Sequence, residues 1–253
     1  MTPIPPLELH VVLLIAAAGF VAGVQNALAG GGSFITFPAL LLAGLNPLAA
    51  NITSTVAMFP SQTTSAVAGR KLVDDVGPLS FRNMFLISVA GGILGALLLL
   101  STPATFFARI VPWLVLFATS VFAWGTLRRK PLHAAGSMPL PVLIGVQSCI
   151  AVYGGYFGGG IGFLMLAALT IAGMQVRAAT ATKNMLAMAM NAAATLIFAF
   201  SDMISWPAAF ALASGGIAGG VCGAWLIHRL PERIMRGFVV LIGALLTVWM
   251  FIR

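Results

Sequence analysis

Ten apolar segments, separated by short breaks, follow one another along almost the whole chain. They cover residues 9–29, 33–45, 50–69, 81–101, 106–126, 140–157, 161–174, 178–200, 206–228 and 234–252. Only 7% of the residues are charged, whereas a soluble domain carries about 25%. So few polar side chains cannot cover a water-facing surface, and lipid must therefore surround much of the exterior. We expect an all-α fold, a polytopic transmembrane helical bundle.

The second and seventh segments are shorter than the others, and each follows a glycine triplet. A helix needs about 20 residues to cross a bilayer, which neither segment supplies. Each short segment either crosses the membrane or folds back on the segment before it as a re-entrant helix hairpin. The short lengths favour the hairpin, but the sequence leaves both arrangements open.

Basic residues indicate which breaks share one side of the membrane. If every segment reverses the chain, the breaks after segments three, five, seven and nine lie on the same side. Together with Lys183, just inside segment eight, that side holds 11 Lys and Arg residues, against two on the opposite side. Because cytoplasmic loops are enriched in Lys and Arg, we predict that the basic side is cytoplasmic and that both termini are periplasmic.

The two halves of the chain resemble each other in the order and spacing of several landmarks. The matched pairs are Gly30-Gly31-Gly32 with Gly158-Gly159-Gly160, Ala43-Gly44 with Ala172-Gly173, Thr53 with Thr182, and Gly92-Ile-Leu-Gly-Ala96 with Gly220-Val-Cys-Gly-Ala224. We interpret residues 1–127 as a first repeat, 128–139 as a basic cytoplasmic linker and 140–253 as a second repeat. Each repeat holds five segments, an odd number, so the second repeat must insert upside down. Inverted repeats with short or broken helices are typical of secondary transporters.

The two glycine triplets are the sharpest local signal for function. Glycine permits a tight turn, and we predict that helices begin at Ser33 and near Ile161, directly after the triplets. The exposed N–H groups and the positive dipole end of a helix N-terminus favour an anion. The alternative is that the glycines only allow close helix packing, as they often do in membranes.

Polar side chains near these turns, and at the starts of segments three and eight, complete the predicted anion-binding set. The set comprises Gln25, Asn26, Gly30, Gly31, Gly32, Ser33, Thr53, Ser54, Gln62, Tyr153, Gly158, Gly159, Gly160, Thr182, Lys183, Asn184 and Asn191. Two alternatives stay open within it. Lys183 either binds the anion or extends back to the interface, and Gln62 and Asn191 either line a polar path or bond across helices.

No carboxylate lies in the middle of a segment, so the sequence gives little support to carboxylate-based proton coupling. The sequence also holds no P-loop, HExxH or CxxC motif. We therefore expect no enzyme activity, no catalytic residue, no metal and no cofactor. The net charge of +8 is explained by membrane topology, so we expect no nucleic-acid partner.

Two stretches of sequence resemble the TauE/SafE family of sulfite exporters. They are residues 23–40 with Ala50-Asn-Ile-Thr-Ser54 in the first half, and the second triplet with Ala179-Thr-Ala-Thr182 in the other. The resemblance implies a bacterial inner-membrane transporter of sulfite, sulfoacetate or another organosulfonate. Members of the family often carry Thr-Ser at the start of both segments three and eight, whereas the second copy here reads Thr182-Lys183.

The resulting functional hypothesis is a secondary carrier for a small sulfur-containing anion, working by a rocking motion of the two repeats. An anion channel or facilitator is the main alternative. A membrane-embedded sensor or partner subunit is a third, and it would bind an anion without moving it. The bilayer and the small anion are the expected partners, and the sequence does not determine the oligomeric state.

Overall fold

The computed structural model describes residues 8–28, 31–127, 138–226 and 232–252. This part of the chain folds into ten α-helices and a single 3₁₀ turn at Arg70–Leu72. The helices are α1 (Leu9–Leu28), α2 (Ser33–Leu42), α3 (Pro47–Gly69), α4 (Phe81–Ser101), α5 (Ala104–Leu127), α6 (Leu140–Tyr156), α7 (Ile161–Ile171), α8 (Val176–Phe198), α9 (Trp206–Leu226) and α10 (Glu232–Ile252). The prediction of an all-helical bundle is confirmed.

Most helix bounds lie within two residues of the predicted segments, and the largest shift at a helix start is in α3. That helix begins at Pro47, three residues before the predicted segment. Asn46 is its N-cap, and the Asn46 side chain accepts a hydrogen bond from the N–H of Ala49 at 2.9 Å. Proline suits the first position of a helix because its missing N–H would have no partner there. The polar cap and the proline therefore set the start, ahead of the apolar residues.

Three helices in the described part of the chain are long and apolar enough to cross a bilayer by themselves: Leu9–Asn26, Phe81–Ser101 and Ala104–Val121. The short segments form α2, of 10 residues, and α7, of 11 residues. At about 1.5 Å per residue each reaches only halfway through a hydrocarbon core of about 30 Å. The large apolar side chains that α4, α5 and α9 leave exposed suit contact with lipid tails, and the chain is a multi-pass membrane protein.

The packing of the helices crosses between the two halves of the sequence. Helix α1 packs along α9, and α6 packs along α4. In addition, α3 pairs with α8, and α5 pairs with α10. The first two contacts are so close that a Cβ on Gly23 would strike the Gly216 carbonyl, and one on Gly155 would strike that of Gly92. Small residues allow this close backbone approach in membranes, where hydrophobic burial does not drive helix association.

The buried apolar side chains form two clusters. In each cluster, helices from the two halves of the sequence pack together, so that α1 lies with α9 and α6 lies with α4. One cluster is built from α4, α6, α7 and α8 with Val76 and Leu79 of the loop before α4. The other is built mainly from α1, α2, α3, α5 and α9, with the ends of α4 and α8. The clusters therefore do not coincide with residues 1–127 and 140–253. The predicted linker at 128–139 lies outside the described residues except for its last two positions, and both chain ends lie outside them as well.

Candidate functional site

The glycine turns connect α1 to α2 and α6 to α7. Gly31, Gly158 and Gly160 have φ values of +84°, +74° and +79°, where other L-residues are strained. Helix α2 begins at Ser33 and α7 at Ile161, as predicted. The N-cap residues are Gly32 and Gly160, which have no side chain that could cap the helix. Gly30 lies outside the described residues.

A different side chain holds each turn. In the first turn, the Asn26 side-chain oxygen accepts a hydrogen bond from the N–H of Gly32 at 2.8 Å. In the second, the Tyr153 hydroxyl donates to the carbonyl of Gly159 at 2.9 Å. In the repeat alignment Gly154 takes the place of Asn26, so the second half has no side chain there that could bind the N–H at the start of its helix.

The two turns meet at a cavity of about 60 Å³, which we call the lysine cavity. It is lined by Asn26, Gly31, Ser33, Gln62, Ser65, Gly158, Gly160, Ile161, Gly162, Lys183, Asn184 and Ala187. One water needs roughly 10–15 Å³ measured in this way, so several waters or one small polyatomic ion fit. Eight of the predicted site residues line it, four from each half of the chain.

Lys183 supplies the only charge in the lining of the lysine cavity as the structure describes it. The Lys183 side chain is buried, with 8% of its surface exposed. A Cβ built on Gly162 would lie 3.5 Å from Nζ of Lys183, so the ammonium group lies beside the first turn of α7. Both the ammonium and the helix N-terminus carry positive potential, and an anion between them would be attracted by both.

A second, smaller cavity of about 20 Å³ lies on the other side of Ser33, and we call it the hydroxyl cavity. It is lined by Ser33, Phe34, Phe37, Asn51, Ser54, Thr55, Val115, Phe157, Gly159 and Leu246. The Ser54 and Thr36 hydroxyl oxygens lie 2.6 Å apart and share a hydrogen bond. The amide of Asn51 donates to the carbonyl of Tyr156 at 3.1 Å, which satisfies the end of α6. This lining contains no charged residue among those the structure describes.

Thr53 and Thr182, which we predicted to bind the anion, each accept a hydrogen bond from a loop. The Thr53 hydroxyl accepts a hydrogen bond from the N–H of Ser205 at 3.1 Å, and the Thr182 hydroxyl accepts one from the N–H of Asp74 at 3.2 Å. Each threonine thus fixes a loop of the other half of the chain. Both side chains are fully buried, and neither lines either cavity.

Gln62 and Asn191 bond across helices. The amide of Asn191 donates to the side-chain oxygen of Gln62, and the two nitrogen and oxygen atoms lie 2.6 Å apart. Each residue lies 15 positions after the first residue of its helix, Pro47 in α3 and Val176 in α8. Only Gln62 also lines the lysine cavity. The bond therefore joins the two halves of the chain at the edge of the cavity.

The remaining predicted residues are divided between the cavities and the helix core. Gly31, Gly158, Gly160 and Asn184 line the lysine cavity, whereas Ser54 and Gly159 line the hydroxyl cavity. Gly32 packs against Asn26 and the carbonyl of Ala22. Gln25 is fully buried in α1 and lines neither cavity, and neither does Tyr153.

The predicted set missed several lining residues that the sequence could have indicated. Gly162 follows the second triplet by two residues, and Ser65 lies one helical turn beyond Gln62. Both residues lie close in the sequence to residues that were already in the predicted set. The aromatic side chains of Phe34, Phe37 and Phe157 gave no such signal, because aromatic residues in an apolar segment usually contact lipid or the core.

Comparison with known proteins agrees with this arrangement. The model of the family described as sulfite exporter TauE/SafE matches residues 15–250. A probable membrane transporter protein of a Sinorhizobium species, ORF9, is 28% identical over 247 residues, covering 96% of this chain and 93% of the relative. A probable membrane transporter protein of Haemophilus influenzae is 28% identical over 252 residues, covering 96% of each chain.

The probable membrane transporter protein YfcA of Escherichia coli is 26% identical over 248 residues, covering 96% of this chain and 90% of that protein. No solved structure gives a significant match. The family match covers nearly the whole chain and includes both glycine turns and both cavities, and it confirms the resemblance seen in the sequence. The chain therefore belongs to the sulfite exporter TauE/SafE family of membrane transporters.

Proposed function

We propose that the protein is a secondary carrier that moves a small sulfur-containing anion across the bacterial inner membrane by alternating access. The substrate class is sulfite, sulfoacetate or another organosulfonate. The observation that carries the proposal is the lysine cavity, where a buried ammonium group and the N-terminus of α7 face one polar space. The family description names sulfite export, and we extend that substrate class to this chain.

The lining of the lysine cavity suits an oxyanion with several oxygens. Lys183 contributes charge, and the amide groups of Asn26, Gln62 and Asn184 can donate hydrogen bonds. No Asp or Glu belongs to this lining in the part of the chain that the structure describes, so nothing acidic would repel an anion. A sulfite or sulfonate group offers three oxygens that can accept from different donors at once.

The membrane potential can supply the driving force for export. An inside-negative potential favours the exit of an anion by about 2.3 kcal/mol per charge for each 100 mV. The carboxylates whose side chains the structure describes, which are Glu8, Asp74, Asp75 and Asp202, are all exposed and lie outside the helix interiors. A carrier built in this way needs no carboxylate proton relay to move an anion outward.

The two apolar clusters suggest which bodies move during alternating access. Helices α4, α6, α7 and α8 share one cluster, and α1, α2, α3 and α9 belong to the other. The lysine cavity lies between them, with lining residues from α2 and α3 on one side and from α7 and α8 on the other. We infer that these two groups of helices rock against each other, rather than the two halves of the sequence.

The proposal is tested by reconstituting the purified protein in liposomes and following labelled sulfite and sulfoacetate. We expect saturable uptake and counterflow, in which unlabelled anion on one side accelerates the entry of the label from the other. Liposomes without protein are the control. Absence of flux together with absence of anion binding would contradict the proposal, and large currents without counterflow would favour the anion channel.

A further inference from the structure

The lysine cavity and the hydroxyl cavity are related by the internal repeat. Ser33 and Phe34, in the first turn of α2, correspond to Ile161 and Gly162 in the first turn of α7. Ser54 and Thr55 of α3 likewise correspond to Lys183 and Asn184 of α8, and all eight residues line one cavity or the other. The structure therefore contains two versions of one site, formed at equivalent places of the inverted halves.

The two cavities lie one after the other along α3. Ser54 and Thr55 line the hydroxyl cavity, whereas Gln62 and Ser65 of the same helix line the lysine cavity. Gln62 lies seven positions after Thr55, which is about 10 Å along a helix at ~1.5 Å per residue. Ser33 lines both cavities, so the two cavities are adjacent at this residue.

Groups that can donate hydrogen bonds line the hydroxyl cavity. The Ser54 hydroxyl lines the cavity and shares a hydrogen bond with the hydroxyl of Thr36, which is fully buried and not part of the lining. The Asn51 amide nitrogen has two hydrogens, of which one goes to the carbonyl of Tyr156. Neutral donors of this kind can solvate an anion without the strong attraction of a fixed charge.

Aromatic rings close the hydroxyl cavity in this conformation. Phe34, Phe37 and Phe157 are in its lining, and the Phe37 and Phe157 rings meet edge to face with their centroids 5.8 Å apart. The corresponding residues of α7 are Gly162 for Phe34 and Met165 for Phe37. The cavity of about 20 Å³ holds one water and is too small for a sulfonate until these rings move.

We propose that the hydroxyl cavity is a second, uncharged binding site for the same anion, entered from the lysine cavity past Ser33 when the aromatic rings separate. This inference rests on the proposed transport function. The lysine cavity then captures the anion, and the hydroxyl cavity receives it on the way to the other face. Because the second site has no fixed charge, it binds the anion more weakly and releases it.

Ser54 is the residue to change, because it corresponds to Lys183 and its hydroxyl faces the second cavity. In liposomes with labelled sulfoacetate, Ser54→Ala is expected to lower the exchange rate at least tenfold. The thermal shift produced by sulfoacetate, which reports binding at Lys183, should stay within twofold of wild type. Ser61→Ala is the matched control, because Ser61 is a buried serine of the same helix that lines neither cavity.

A pair of isosteres keeps the test decisive if Ser54→Ala unfolds. Ser54→Thr retains the hydroxyl and Ser54→Val replaces it with a methyl group of similar shape, so only the first should transport well. Equal exchange by wild type, Ser54→Ala and Ser54→Val, or exchange and binding that fall together, would overturn the second site. If the wild-type protein neither binds nor exchanges any anion, the proposed function itself fails, which is a different result.

Discussion

The two glycine turns come from equivalent sequence but differ in chemistry. In the first, Asn26 accepts the N–H of Gly32, and Ser54 bonds to Thr36, so the polar groups satisfy one another. In the second, Gly154 stands where Asn26 would be, and Lys183 stands where Ser54 would be. The second turn therefore has no equivalent of the Asn26 side chain and has an additional positive charge. The equivalent N-cap glycines also differ in backbone conformation, because φ is −55° at Gly32 and +79° at Gly160.

The largest effect is expected from making the two halves alike at this position. Lys183→Ser gives the second half the residue found in the first half and removes the charge from the lysine cavity. A hydrogen bond to a charged group contributes about 1.5–3 kcal/mol, and each 1.4 kcal/mol corresponds to tenfold in affinity. We expect sulfoacetate affinity to fall by about 10- to 100-fold, measured by titrating the thermal shift.

The matched control for this change is Lys71→Ser, because Lys71 is an exposed lysine in the break between α3 and α4. It should bind sulfoacetate like wild type. If Lys183→Ser also binds within twofold of wild type, then Lys183 serves the membrane interface rather than the anion.

A smaller effect is expected from alanine in the second turn. Gly160→Ala and Gly158→Ala place a Cβ at φ values of +79° and +74°, which costs roughly 1–2 kcal/mol each. Gly160→Ala should be the more severe, because its Cβ would lie 3.0 Å from that of Ala118, whereas the nearest atom to a Cβ on Gly158 is 3.4 Å away. The melting temperature of each variant in detergent measures the destabilisation.

In the first turn, Gly32→Ala should destabilise for a different reason. Gly32 has an ordinary φ of −55°, but its Cβ would lie 2.8 Å from the carbonyl oxygen of Ala22. Gly145→Ala in α6 is the control, since no atom lies within 4 Å of its Cβ, and it should melt at or above the wild-type temperature. A Gly160→Ala protein as stable as Gly145→Ala would show that the turn does not need glycine.

The two threonines that hold loops are expected to contribute similar amounts to stability. Thr53→Val and Thr182→Val each remove the acceptor of one loop N–H, which costs about 1–3 kcal/mol if that group stays buried. Thr53→Val should cost more, because the bond to Ser205 is buried and the bond to Asp74 is partly buried. Both variants should keep the wild-type affinity for sulfoacetate. A loss of affinity without a loss of melting temperature would show that the two threonines bind the anion.

The smallest effect is expected at the bond between Gln62 and Asn191. A double-mutant cycle with Gln62→Leu and Asn191→Leu should give a coupling energy of about 0.6 kcal/mol, the average for such bonds between membrane helices. Unfolding in mixed micelles measures this energy. Gln62→Leu alone should also slow sulfoacetate exchange, because only Gln62 lines the lysine cavity. Equal exchange by the two single variants would show that Gln62 acts only through the bond.

The sequence predicted the helices well because glycine and proline mark where they begin and end. Both short helices begin directly after the triplets, and α4 has the predicted bounds of 81–101. Helix α3 was the exception at its start, because hydropathy placed it at residue 50 although Asn46 and Pro47 already marked its beginning. Glycine, proline and capping residues were therefore sufficient to place the starts of these helices.

The site was harder to predict because its partners are distant in the chain. Thr53 bonds to a residue 152 positions away, and Thr182 to one 108 positions away. A hydroxyl at a helix start looks the same in sequence whether it meets a ligand or a loop N–H. For the same reason, no local pattern could divide the predicted set between two cavities. Only the three-dimensional pairing of α3 with α8 separates them.

Helices α1 and α6 each pack on a helix of the other half, and this arrangement also affects how the protein folds during synthesis. Helix α1 ends at Leu28, and its partner α9 begins at Trp206. At about 5–20 residues per second, the ribosome needs roughly 10–40 s to synthesise the stretch between them. During that time the glycine face of α1 is inserted in the bilayer without its final neighbour. The first half therefore completes its fold only when nearly the whole chain has left the ribosome.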